Sequence, residues 1–201
     1  MLGLLLPALV ATSIAALRVR SLAGLQRAHV QWSQLALGSI AVQLVLFSPL
    51  VDQQPWALAS GPFIWVATLI VLAAVLGRNG LSRGPGQSAL MLATVGVAAN
   101  LVVVVANGGY MPQSPEARIA VRGVPLVTSQ ERPQLRNVVP SGPDTRLSWF
   151  GDTIPQPSWL PTANVVSVGD LALSVGLAWW AFRVITASAV PQVRTQMADS
   201  Q

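Results

Sequence analysis

From Gln87 to Ala106 the chain carries no charged side chain, and the run then stops at Asn107-Gly-Gly-Tyr-Met-Pro112. An apolar stretch of about 20 residues is what an α-helix needs to cross the hydrocarbon core of a bilayer. The stop is equally informative. Paired glycines reach backbone conformations closed to other residues, Asn tolerates left-handed geometry, and Pro112 cannot continue a helix. The stretch predicts a helix end followed by a shaped turn at Gly108 and Gly109.

Four more apolar runs follow the same logic: Leu2 to Leu17, Trp32 to Val51, Phe63 to Gly77 and Val165 to Ala187. With 52% hydrophobic and 9% charged residues, the chain falls well outside soluble domains, which carry about a quarter charged residues. The expected fold class is an all-α membrane protein of about five transmembrane helices. Its spans are about 2–17, 32–51, 63–77, 87–106 and 165–187 in one membrane domain covering 1–201. A long structured extracytoplasmic segment, 108–163, separates spans four and five and holds nine of the 15 prolines.

Charge placement orients these spans. All 12 basic residues are Arg, and Arg18, Arg20, Arg27, Arg78, Arg83, Arg183 and Arg194 fall on one side of the expected membrane. The opposite short loop, Val51 to Ser60, holds only Asp52. The positive-inside rule therefore expects the N-terminus and the long segment outside, and the C-terminus in the cytoplasm. The arginines sit at the ends of apolar runs instead of clustering on a polar surface, which argues against a nucleic-acid partner. Expected partners are the lipid bilayer and other membrane subunits.

Within the long segment, Ser114-Pro-Glu-Ala117 predicts an N-cap, a first-turn Pro and a favourably placed acid, with Gly123 ending a short helix. Arg132-Pro133, Val139-Pro140 and Gly142-Pro143 predict irregular backbone beyond it. Trp149, Phe150, Ile154, Trp159 and Leu160 are expected to dip into the membrane interface.

These motifs together carry a resemblance. Asn107-Gly-Gly-Tyr-Met-Pro112, Ser114-Pro-Glu-Ala117, Thr145-Arg-Leu, Gly151-Asp152 with Pro155-Gln-Pro157, and Ser167-Val-Gly-Asp170 stand in the order and spacing of a bacterial family of integral membrane proteins of unknown function. The resemblance spans nearly the whole chain. It implies a shared fold, a shared site and a bacterial cytoplasmic membrane, and it carries over no catalytic role. Phe150 departs from the aliphatic residue expected before Gly-Asp.

Candidate chemistry is sparse. With no Cys and a single His, the chain has no thiolate nucleophile and too few ligands for a self-contained transition-metal site, so no cofactor is expected. Asp152 and Asp170 each follow a Gly near the start of span five, and a close carboxylate pair would serve acid/base work or cation binding. Against that, Ser167-Val-Gly-Asp170 has the spacing of a capping box, and Asp152 has the setting of a turn-forming side chain. Asn100 and Asn107 share a helix face with Gly96, and span five answers with Gly169 and Gly176, so close packing of spans four and five is expected to bring Asn107 near both acids. Gln43 reads as interhelical glue. Tyr110 and Arg146 complete the candidate ligand or partner-binding set of Asn100, Asn107, Gly108, Gly109, Asp152 and Asp170, Arg146 as an anion clamp. His29, beside Trp32, is a minor candidate for ligating a pigment or haem.

Three readings stay open. An accessory or scaffold subunit of a larger membrane complex ranks first, because the catalytic inventory is thin. A lipid or small-molecule binding or transport protein with a polar site at the outer interface ranks second, and a small membrane enzyme acting on an anionic lipid third.

Overall fold

The computed structural model describes residues 12–17, 28–124, 137–160 and 163–187. Residues 12–17 are helical, and the rest of the expected first span lies outside the described residues. Helix α1 is Ser33–Leu46, α2 is Pro55–Leu81 and α3 is Gln87–Ala106. A small folded platform follows, built from β1 (Met111–Gln113), α4 (Pro115–Arg122), β2 (Val138–Pro140), a 3-10 turn (Ser148–Phe150), β3 (Ile154–Pro155) and β4 (Val165–Val166). Helix α5, Val168–Ala187, returns alongside α3.

The helices α2, α3 and α5 are long and apolar enough to cross a membrane. The α3 bounds coincide with the expected span, and the others need correction. Helix α1 has 14 residues, about 21 Å at 1.5 Å per residue, short of a ~30 Å hydrocarbon core. It ends early because Pro49 disfavours helix at Ser48, whose hydroxyl donates to the Val45 carbonyl (2.7 Å). Helix α2 is longer than the expected 63–77, at 27 residues, and continues through Gly61 and Pro62. Its true start is Pro55, whose fixed φ suits the first helical position, so the loop before it is shorter than the expected 51–60. The expected fifth span loses its first residues too: Val165 and Val166 form β4, paired antiparallel with β3.

Helix contacts run in sequence order, α1 on α2, α2 on α3 and α3 on α5. The core between them gathers Leu46, Trp65, Leu69, Val97, Val104 and Met111. Phe47 meets Trp65 edge to face, with ring centroids 5.7 Å apart. Gln43 donates its amide to the Thr68 hydroxyl (3.0 Å), the interhelical bond expected of it. Between α3 and α5 the approach is backbone to backbone. A Cβ on Gly96 would lie 2.6 Å from the Leu173 nitrogen, and one on Gly176 would lie 2.6 Å from the Ala93 nitrogen. Small residues at these positions are what permits that distance.

The platform is more regular than its prolines predict. Strands β1 and β2 pair in parallel, Met111 opposite Val138, Pro112 opposite Val139 and Gln113 opposite Pro140. Met111 N donates to Asn137 O (2.8 Å) and Ser141 N to Gln113 O (2.9 Å). In so short a pair the ladder runs through residues that keep their N–H, so proline is tolerated. Along its other edge β1 bridges Asp152: Asp152 N donates to Pro112 O and Ser114 N to Asp152 O, both at 2.8 Å. Arg132-Pro133 lies outside the described residues.

Candidate functional site

The end of α3 sets the site. Asn107 is its C-cap, Gly108 and Gly109 take φ values of 65° and 94°, and Gly109 N returns to Val104 O (2.9 Å). A side chain on Gly109 would run into Pro62 of α2. The turn therefore needs glycine twice over, for its φ and for its contact, as the Asn-Gly-Gly stretch predicts. Tyr110 follows, half-buried, and leads into the buried strand β1.

The hydrogen bonds of the Asn107 side chain go to backbone and not to an acid. Its amide donates to Val103 O and to Arg146 O (both 2.8 Å), and its side-chain oxygen accepts from Arg146 N (2.7 Å). The Asn107 side chain thus clamps the Arg146 backbone to the end of α3. Sequence spacing placed it on the right face of the helix, but its position past the last turn turns it toward the platform loop.

Asn100, two turns earlier, is the residue that meets an acid. Asn100 Nδ2 donates to Asp170 Oδ1 (2.8 Å), and Ser167 Oγ donates to Asn100 Oδ1 (2.8 Å). The ring closes through a capping box: Asp170 N donates to Ser167 Oγ (2.9 Å) and Ser167 N to Asp170 Oδ2 (3.1 Å). Every polar atom of the ring that faces α3 has a partner, which is what a buried polar group between helices requires. Gly169 makes room for it, since a Cβ there would lie 2.7 Å from Asn100 Cγ. In this ring Asp170 caps α5 and also binds α3.

Asp152 lies within electrostatic reach of Asp170 but is built differently. It is 6% exposed, and the near neighbour of its side chain is Gln113, itself 2% exposed, whose Nε2 donates to Asp152 Oδ2 at 3.3 Å. The contact replaces the local turn expected for Asp152; its partner lies 39 residues away in sequence. Burial pushes the Asp152 carboxyl up to about 8, the charge of Asp170 adds to that, and the Gln113 amide opposes it. At neutral pH the neutral acid dominates. Gln113 Oε1 is buried with no hydrogen-bond partner among the described residues. Sequence reasoning did not single out Gln113, and no local signal marks it, because its role comes from pairing across the platform.

The remaining candidates lie apart. The Arg146 side chain is exposed. His29 is exposed at the opposite end of the helices, beside the α2–α3 loop. Among the described residues no three metal-ligating side chains cluster. The arrangement thus offers a satisfied polar ring, an enclosed neutral acid and a rigid turn.

No curated protein and no solved structure matches the chain. A family model does match, over residues 27–182, a range that takes in α1 to α4, the platform and most of α5. With that much of its length matched, the chain belongs to a family of unknown function, DUF5317.

Proposed function

We propose that this protein is an accessory or scaffold subunit of a larger membrane complex, with the platform as its docking face. Support comes chiefly from Trp149, which is 68% exposed yet held from beneath. Its ring lies against Phe150, with centroids 3.8 Å apart, and Phe150 in turn packs on the helix core. A large aromatic presented on a rigid base loses little conformational freedom on binding, the property of interface hot spots. Trp159, in the loop between β3 and β4, is 78% exposed as well. On this reading the platform faces outward from a bacterial cytoplasmic membrane, with the Arg78 and Arg83 end inside, in keeping with the positive-inside rule.

The enzyme reading needs an accessible acid with Arg146 as its anion clamp. Asp152 is 6% exposed and holds a hydrogen bond from Gln113, so this reading ranks last. A second reading, a small polar ligand held at the platform, is favoured by a shallow hollow of about 400 Å³ lined by Ser114, Glu116, Ser141, Trp149 and Thr153.

Co-purification from native membranes in mild detergent distinguishes these readings. A stoichiometric membrane-protein partner is expected with the wild type and should be lost in Trp149→Ser at unchanged melting temperature. Recovery of no protein partner, or equal recovery with both chains, rejects the scaffold reading. If Trp149→Ser instead changes only the retained lipid or a small ligand, the platform binds those.

A further inference from the structure

At the end of the helices away from the platform, Ser82-Arg83-Gly84-Pro85-Gly86 joins α2 to α3. Gly86 takes φ 86°, and a Cβ there would lie 2.8 Å from Trp180 Cδ1, so the turn closes directly on α5. On the other side residues 28–31 are strapped to α2. Gln31 N donates to Asn79 Oδ1 (2.8 Å), Asn79 Nδ2 returns to Gln31 O (2.9 Å), and Arg78 Nε donates to Gln31 Oε1 (3.1 Å). Arg78 also lies over the Trp32 ring, 5.7 Å from its centroid. Strap, turn and α5 enclose a half-open cavity of about 380 Å³, within the size range of small-molecule and cofactor sites.

Its lining changes character with depth. Exposed His29, Arg83 and Gln87 stand at the rim, Trp180 forms a half-buried wall, and buried Leu90 and Val184 form the floor. Asn79, the polar residue beneath the strap, is occupied by its bonds to Gln31 and to Val75 O (2.7 Å). Among the described residues no carboxylate lines the cavity. The first turn of α3 opens onto it with no side-chain cap and no acidic residue, so the positive end of the α3 dipole lacks the usual complement. A cationic rim, a guanidinium able to take two oxygens and an apolar floor together select an anion with an apolar body.

We propose that this cavity binds a phosphate-bearing amphiphile: an anionic membrane lipid whose headgroup phosphate meets Arg83 and His29 and whose first acyl carbons lie against Leu90, Trp180 and Val184. The rim supplies charge and the floor supplies burial of methylenes, a division that a free soluble anion would not use. The site is independent of the platform and of any partner bound there.

Native mass spectrometry of the full chain, reconstituted in phosphatidylcholine nanodiscs with phosphatidylglycerol titrated in, tests the assignment. Retention of phosphatidylglycerol over phosphatidylcholine is expected. The double variant H29Q/R83Q, at two exposed positions, should weaken that retention at least tenfold while melting like the wild type in phosphatidylcholine alone. R122Q, an exposed charge on α4, should leave it unchanged. Leu90→Trp, which fills the floor without altering charge, should lower retention as well. Equal retention by wild type and H29Q/R83Q overturns the proposal, and so does an equal loss with R122Q, which would mean diffuse charge attraction. Displacement of the lipid by millimolar inorganic phosphate overturns the lipid assignment in favour of a soluble phosphate ligand. A haem absorbance band in the purified protein overturns it in favour of ligation by His29.

Discussion

Because Asp152 lies buried between Gln113 and the Pro112 backbone, with a carboxyl raised to about 8 from an ordinary 3.8, its ionisation opposes folding. The folded state holds the proton up to about pH 8, whereas the unfolded chain releases it near pH 4. Below pH 4 both states are protonated and the group is neutral in effect. Between pH 4 and 8 the folded state binds more protons, so stability falls with rising pH by up to about 1.4 kcal/mol per unit. Above pH 8 the loss levels off. Asp152→Asn should remove this slope, melting close to the wild type at or below pH 4 and higher than it at pH 8 in detergent thermal scans. A parallel pH dependence in both chains would show that Asp152 ionises freely. At this scale the local chemistry was legible and the long-range chemistry was not. The Ser167-Asp170 capping box is written in a three-residue spacing, while the Gln113-Asp152 contact joins strand β1 to a residue 39 positions later with no shared period.

Elements were legible where apolar length and an end signal agreed, as in α3 with Asn107-Gly108-Gly109 and α4 with its Ser114 cap, which accepts from Ala117 N (3.0 Å). They were misjudged where proline served as the end signal. Pro62 lies inside α2, beneath the Gly109 turn, and Pro140 lies in β2 because its neighbours carry the ladder. Gly109→Val tests the α2–α3 contact. A branched side chain at φ 94°, aimed at Pro62, should cost clearly more than the ~1 kcal/mol of an ordinary glycine replacement. Gly108→Ala, at φ 65° with open space around it, should cost only the backbone penalty of about 1–2 kcal/mol. Equal melting temperatures for the two variants would mean that Pro62 yields to the added side chain.

Across the whole molecule, the two ends of the helices differ in kind. One end carries the hydrogen-bonded platform, with exposed Arg122 and Arg146 in its long segment, and the short α1–α2 loop, whose charged residue is Asp52; the other carries exposed Arg78, Arg83 and Arg183 at helix ends. This asymmetry underlies the proposed orientation, which a reporter can check. An insertion at Ser141 should read external and a fusion after Gln201 cytoplasmic. The reverse result for both would turn the platform inward and remove the outer docking face. Composition made the apolar character of the chain plain, and arginine placement suggested its polarity. The two small strand pairs of the platform stayed hidden, since strands of two or three residues leave no readable alternation.

The ring formed by Asn100, Ser167 and Asp170 also has a temporal side. Asn100 and Asp170 are 70 residues apart, and at about 5–20 residues synthesised per second that is a delay of roughly 4–14 seconds. If α3 enters the bilayer as it leaves the ribosome, its amide waits that long among lipid tails without the partners it will finally have. The strongly apolar Leu101 to Val105 stretch beside it helps to hold the helix in the membrane meanwhile. On that route the arrival of α5 converts a costly polar group into the joint between the two helices, and the order in which the segments are made becomes part of assembly.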